Sequence, residues 1–171
     1  MPKPETMIEG RHLRLLSIGG WEYVQRTVAS GVVCIVAVTA EDKLILVEQF
    51  RRPVDAFVIE LPAGLSGDAD DRNESLETAA QRELLEETGY EANDWTCLGD
   101  VVSSAGLTDE VVTVFRAREL RKVGLGGGDD SEDIIIHEVP LVDLADWIAA
   151  SASAGKRIDS RVYGTATFLK M

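Results

Sequence analysis

The stretch that most constrains this chain is Glu74 to Gly89, ESLETAAQRELLEETG. Its composition predicts a helix from about Glu74 to Thr88, with Asn73 or Ser75 to cap its start and Gly89 to end it. At about 100° per residue, Leu76, Ala79, Ala80 and Leu84 share one face, the face expected to pack inward. Glu83 and Glu87 fall on that same face, and Glu86 stands at its edge. Like charges four residues apart cost a helix roughly 0.2–0.5 kcal/mol even when exposed, and far more when partly buried without compensation. A divalent cation compensates them, and hard carboxylate oxygens suit magnesium or manganese. The alternative is a solvated acidic helix, but such a helix does not set its acids among its alanines.

Glu74, seven further residues, and then Arg82-Glu83-Leu84-Leu85-Glu86-Glu87-Thr88-Gly89-Tyr90 resemble the Nudix box, G-x5-E-x7-R-E-U-x-E-E-x-G-U, where U is bulky and apolar. Every specified position from Glu74 onward is filled. The family glycine belongs six positions ahead of Glu74, where this chain has Asp68. Gly64, in Leu61-Pro62-Ala63-Gly64, is the natural equivalent, ten positions ahead. Residues 66–73 then read as a lengthened polar loop, which surface connections tolerate. The resemblance implies an α/β fold: a Nudix-type α/β/α sandwich with a mixed β-sheet. It implies Mg2+, or Mn2+, held by Glu83, Glu86, Glu87 and the backbone carbonyl of Ala63. It makes Arg82 an orienting partner of Glu74 or a neighbouring glutamate, and Glu86 part of the catalytic set.

Other segments resemble the ADP-ribose pyrophosphatase branch of that family. Trp21-Glu22-Tyr23-Val24-Gln25-Arg26 is similar to a segment of the branch's N-terminal arm, which exchanges between two subunits. By that match Trp21 stacks on adenine and Glu22 accepts from the adenine amino group, as a flat aromatic and a carboxylate are suited to do. The competing reading has Trp21 covering the core or a dimer seam. VEQFRRPVDAFVIELPAG carries the branch's Q-[YF]-R…E-[LF]-P-A-G pattern, which assigns Arg51 to substrate phosphate or the terminal ribose. The alternative for Arg51 is a salt bridge to Glu60 or to a box glutamate. The loop SSAGLTDE, residues 103–110, resembles a substrate-side loop of the branch, with Ala105 replacing a proline and Leu107 positioned to cover the nucleotide. Glu110 reads as a ligand-side acid or, preferably, as a charge at a strand start. By the same resemblance a glutamate ahead of the strand at Ile134 is the general base. Glu132 matches best, with Asp130 and Asp133 as rivals and a solvated acidic loop as the alternative.

The rest of the chain organises around these segments. Residues 5–27 read as two or three short strands about Gly19-Gly20, a hairpin arm. GVVCIVAVT and KLILVEQF, joined by Ala40-Glu41-Asp42, read as a second hairpin, the first strand buried on both faces. Strands are expected at 56–61, 95–102, 111–117 and 134–139. Gly124 to Asp133 is expected to be mobile and unpacked, and helices are expected at 141–150 and 159–169, the latter interrupted by Gly164. The expected organisation is one domain over 1–171, with residues 1–28 as the arm and 29–171 as the core.

Thirty acidic against seventeen basic residues give a formal charge of −13, which opposes general nucleic-acid binding. Cys34 and Cys97 are too few for a disulfide framework or a zinc site. No apolar run reaches membrane-spanning length, and no leader is apparent, so a cytoplasmic location without a membrane partner is the expectation. The expected activity is metal-dependent hydrolysis of a nucleoside diphosphate sugar by a homodimer. The branch points to ADP-ribose, giving AMP and ribose 5-phosphate. A GDP- or UDP-sugar, or a nucleotide sensor without catalysis, stands as the alternative.

Overall fold

The computed structural model describes residues 2–27, 31–67, 73–128 and 133–171. Three strands open the chain: β1 (Glu5–Glu9), β2 (Leu13–Ile18) and β3 (Trp21–Arg26). They form a separate antiparallel sheet, three strands rather than a simple hairpin.

The other strands among the described residues make two four-stranded sheets. One, in the order β7-β4-β9-β8, contains β4 (Gly31–Ala37), β7 (Ala63–Ser66), β8 (Tyr90–Val102) and β9 (Val111–Lys122). The second, in the order β10-β5-β6-β11, contains β5 (Lys43–Arg51), β6 (Ala56–Glu60), β10 (Ile135–Pro140) and β11 (Arg157–Ile158). Pairing is mixed: β4 runs parallel to β9, and β6 to β11, while the remaining neighbours are antiparallel. Among the described residues three α-helices complete the fold: α1 (Leu76–Thr88), α2 (Leu144–Ser153) and α3 (Ser160–Phe168).

Side chains around β4 divide between two cores, because successive residues of a strand point to opposite faces. Cys34, Val36 and Val38 pack with Leu44, Leu46 and Ile59, and with Ile148 of α2 and Val162 of α3. Val33, Ile35 and Ala37 pack with Ile45 and with Ala79, Ala80 and Leu84 of α1. This is the expected layering of helix, sheets and helices, and it explains why the run from Val33 to Val38 shows no polar alternation.

The structure corrects several sequence expectations. β4 and β5 do not form a hairpin. Their backbones pair at an isolated bridge, Val38 with Leu44, beside a hydrogen bond from Thr39 N to Lys43 O of 2.9 Å, and the two strands then enter different sheets. Each is an inner strand with a neighbour on either side, so a shared hairpin would have cost one of those neighbours. β8 begins at Tyr90, five residues early, because the polar run that reads as a loop pairs with the end of β9: Glu91 faces Arg121 and Asp94 faces Arg118. β7 and β11 are strands that were not expected. Gly124 to Gly128 is not an unpacked segment, since Gly127 N and Gly128 N bond to α1 carbonyls at 2.9 and 3.1 Å. Helix α2 lies three residues later than expected, and α3 runs unbroken through Gly164.

Away from α1, the second sheet holds a buried charge. Glu48 is 4% exposed, and its Oε2 lies 2.6 Å from Lys156 Nζ and 2.7 Å from His137 Nε2. Burial alone raises its pKa, but the bonds from Lys156 and His137 outweigh burial and hold the carboxyl below its ordinary value. A carboxyl lowered on folding contributes its full stability above the unfolded pKa and loses it as pH falls through the folded one. Glu48→Gln is therefore expected to cost about 1.5–3 kcal/mol near neutral pH. Denaturant titrations should show the gap to wild type closing as pH falls below the ordinary value of 4.5.

Candidate active site

Helix α1 begins where Ser75, the Ncap, accepts a bond from Thr78 N at 3.1 Å, and it stops at Gly89, whose φ of 70° is left-handed. Its inward face carries Ala79, Ala80, Glu83, Leu84, Glu87 and Thr88. Glu83 is 9% exposed and Glu87 2%, so two carboxylates one turn apart are held out of water. Glu86, on the rim, keeps a half-exposed side chain.

Arg82 braces this face. Its Nε and Nη2 fork onto Glu74 at 3.0 and 3.2 Å, and its Nη1 donates to Glu83 Oε1 at 2.9 Å and to Glu86 Oε2 at 3.0 Å. Nη2 also donates to the Leu65 carbonyl at 2.9 Å, which ties the helix to β7. The bonds from Arg82 hold the Glu74 carboxyl below its ordinary range despite burial, with help from Gly67 N–H. The same pairing pushes the Arg82 guanidinium up, so it stays charged. Glu87 Oε2 accepts from Ala63 N at 3.1 Å, a second tie between α1 and β7.

These residues border a cleft of about 340 Å³. Ala63, Gly64, Leu65, Glu83, Glu86 and Glu87 line it, and Arg26, Arg51, Arg82 and Arg161 line it as well. Three of the arginines are fixed by carboxylates of their own. Arg51 forks onto Glu60 at 2.9 and 2.5 Å, Arg26 Nε bonds Glu110 at 2.6 Å, and Arg161 forks onto Asp159 at 2.8 and 2.9 Å. Burial raises the Asp159 pKa, but Arg161 outweighs it and lowers the carboxyl, while the same contact pushes the guanidinium up. An adjoining hollow of about 480 Å³ shares Arg26, Val32 and Glu110 with the cleft. Beneath, burial pushes the Cys34 thiol up to about 12, which leaves it a neutral core group at neutral pH.

Of the sequence-selected residues, Ala63, Arg82, Glu83, Glu86, Glu87 and Arg51 meet at this cleft. Trp21, Glu22 and Leu107 do not line it. Trp21 is 61% exposed and donates through Nε1 to Gly106 O at 3.3 Å, and Leu107 is 60% exposed. They stand together because Val24 N bonds Leu107 O at 2.8 Å, docking β3 on the loop after β8. Glu132 and Asp130 lie outside the described residues, as do Asp68 and its neighbours up to Arg72. Glu110, preferred above as a strand-start charge, is a cleft residue held on Arg26. Arg26 and Arg161 were not singled out from the sequence. Arg26 shares a strand face with Glu22, which is a weak signal, and Arg161 begins an ordinary helix and gives none.

The chemistry of the donors fits a divalent cation. Glu83, Glu86, Glu87 and the backbone at Ala63 are hard oxygen donors on one cleft, and a Cβ on Gly64 would overlap the Glu83 carboxylate, so the glycine keeps that space open. Among the described residues no three acidic, histidine or cysteine side chains already converge as a ligand set. The acids contact Arg82 and Ala63 N–H, partners with which a cation would compete.

Comparison with known proteins follows the same line. The chain is 41% identical over 117 residues to an ADP-ribose pyrophosphatase of Bacillus subtilis, covering 66% of this chain and 60% of that one. It is 34% identical over 166 residues to an ADP-sugar pyrophosphatase of Mus musculus, covering 88% and 73%. A solved structure titled as an ADP compounds hydrolase superposes with a TM-score of 0.68 at 26% identity, over 86% of this chain and 83% of that one. The matched stretch spans only 55–62% of the length of three of the curated relatives. The NUDIX domain matches residues 29–158, and with Arg82, Glu83, Glu86 and Glu87 of the box gathered on α1 the chain belongs to the Nudix family.

Proposed function

We propose that the chain hydrolyses the diphosphate bond of a nucleoside diphosphate sugar with a divalent metal, and that ADP-ribose is its substrate. The observation that carries the reading is the pair of buried carboxylates, Glu83 and Glu87, facing a cleft that, among the described residues, four arginines also line. Such a cleft suits a substrate that brings two phosphates and needs cations on both sides of them. The relatives named ADP-ribose and ADP-sugar pyrophosphatase support the substrate.

In this reading Glu83, Glu86, Glu87 and the Ala63 carbonyl hold Mg2+, with Mn2+ as a substitute. Bound there, the ion supplies charge neutralisation and a lowered pKa for water. Arg82 keeps the glutamates oriented through its bonds to Glu74, Glu83 and Glu86. Arg51 directs its guanidinium to the phosphates while Glu60 fixes its plane. Glu132 takes the proton from water. The water oxygen bonds to one phosphorus, the bridging P–O bond breaks, and AMP and ribose 5-phosphate leave.

The whole chain acts as one unit in this proposal. Residues 1–28 serve as an arm that, with Leu107 on the loop it docks against, carries Trp21 and Glu22 to the adenine site of a second copy, where Leu107 covers the nucleotide. Support comes from the exposure of Met7, Ile8, Leu13 and Trp21. The partner set is a small nucleotide substrate and a second copy, with no nucleic acid, no membrane and a cytoplasmic setting. The charge of −13 and two free cysteines agree with it. Among the described residues no helix is long and apolar enough to cross a membrane.

Phosphatase-coupled assays with ADP-ribose, GDP-mannose and UDP-glucose test the substrate. ADP-ribose is expected to be hydrolysed fastest, with activity lost in EDTA and restored by Mg2+. Glu87→Gln, checked for folding by circular dichroism, is expected to lose more than the about 10–100-fold typical of a group that only orients a ligand. Preference for another sugar nucleotide would move the substrate, and nucleotide binding without turnover would make the chain a sensor. Light scattering at micromolar concentration is expected to give a dimer, and a monomer would remove the arm from the account.

A further inference from the structure

The end of α1 is closed by a segment that the reaction does not use. A helix leaves its last four carbonyls without partners inside the helix. In α1 the Leu85 carbonyl accepts from Gly89 N at 2.8 Å. The next three are all served by the chain leaving β9. Gly128 N donates to Glu86 O at 3.1 Å, Gly127 N to Glu87 O at 2.9 Å, and Lys122 Nζ to Thr88 O at 2.9 Å. Val123 N and Gly124 N add bonds of 2.8 and 3.1 Å to Gly89 O. Residues 122–128 therefore form a strap across the helix end, and two of the carbonyls it holds belong to Glu86 and Glu87.

The strap reaches this position because of what it lacks. Gly126 has a φ of 68°, and a Cβ there would stand 2.7 Å from both Gly89 N and Thr88 Cα, backbone atoms that cannot swing aside. Its neighbour Leu125 is 92% exposed, its side chain turned away from the helix end into solvent. Lys122 is steadied with its Nζ 4.5 Å above the Tyr90 ring, so the cap on Thr88 is not a loose surface lysine.

We propose that the strap is a positioning element. Through Gly126 and Lys122 it fixes the last turn of α1, and so sets how well Glu86 and Glu87 bind the divalent ion. This rests on the metal reading given above and deepens it. The backbone of a frayed last turn would move both carboxylates by an ångström or more, enough to weaken a site that needs its groups within about half an ångström.

Manganese binding followed by electron paramagnetic resonance tests the proposal without turnover. Wild type and Leu125→Ala are expected to bind Mn2+ equally. Gly126→Ala is expected to bind it about 10–100-fold more weakly while keeping a cooperative thermal transition. Equal affinity in folded Gly126→Ala would overturn the proposal, since a merely structural strap would change stability and leave the ion alone. If Gly126→Ala does not fold, Lys122→Met decides: a fall of about threefold or more supports the proposal, and unchanged affinity overturns it. Absence of Mn2+ binding by wild type would instead overturn the metal reading and this proposal with it.

Discussion

The structure depends on two carboxylates that a helix would ordinarily keep in water. Glu83 and Glu87 occupy the inner face of α1 beside Ala79, Ala80 and Leu84. Desolvating a charge costs several kcal/mol unless it is paired and hydrogen-bonded. Much of the surrounding construction can be read as compensation. Arg82 reaches three glutamates and a β7 carbonyl, the Ala63 amide meets Glu87, and Gly64 leaves room for the Glu83 carboxylate. These ties also join α1 to β7, so the helix cannot shift without exposing or stranding its acids.

The second sheet and α3 place other charged groups of the cleft. β5 and β6 bring Arg51 and Glu60 together as neighbouring strands, and β11 leads directly into the Asp159 cap of α3, with Arg161 on its first turn. Asp159 N bonds Ile59 O at 2.9 Å, which sets that helix start against the strand carrying Glu60. The α1 acids and the arginines Arg51 and Arg161, each of these two paired with a carboxylate, thus reach the cleft from different elements of the fold. Such preorganised groups lose little freedom when a charged ligand arrives.

What could be read from the sequence follows physical range. The inward acids of α1 were legible because helical periodicity is local, and the box spacing made Arg82 and Glu74 legible as partners. The Arg51–Glu60 pair was legible only as one of two alternatives, because strand pairing is not encoded by spacing alone. Arg26 and Arg161 were not legible as cleft residues, because β3 and α3 reach the cleft through tertiary docking that leaves no mark in their own segments. The β4–β5 hairpin failed for the same reason: two apolar runs with a short turn look alike whether they pair or part into two sheets. The glycine segment failed differently. Its composition was read as flexibility, whereas glycine at 126 is required by close approach to Thr88 and Gly89.

The most direct measurement is diffraction at the manganese absorption edge from crystals soaked with Mn2+ and a non-hydrolysable methylene analogue of ADP-ribose. Anomalous density is expected between the analogue's phosphates and the carboxylates of Glu83 and Glu87, with Arg82 still on Glu74. Manganese bound elsewhere, or an analogue that occupies a surface other than the cleft bordered by α1 and β7, would contradict this expectation.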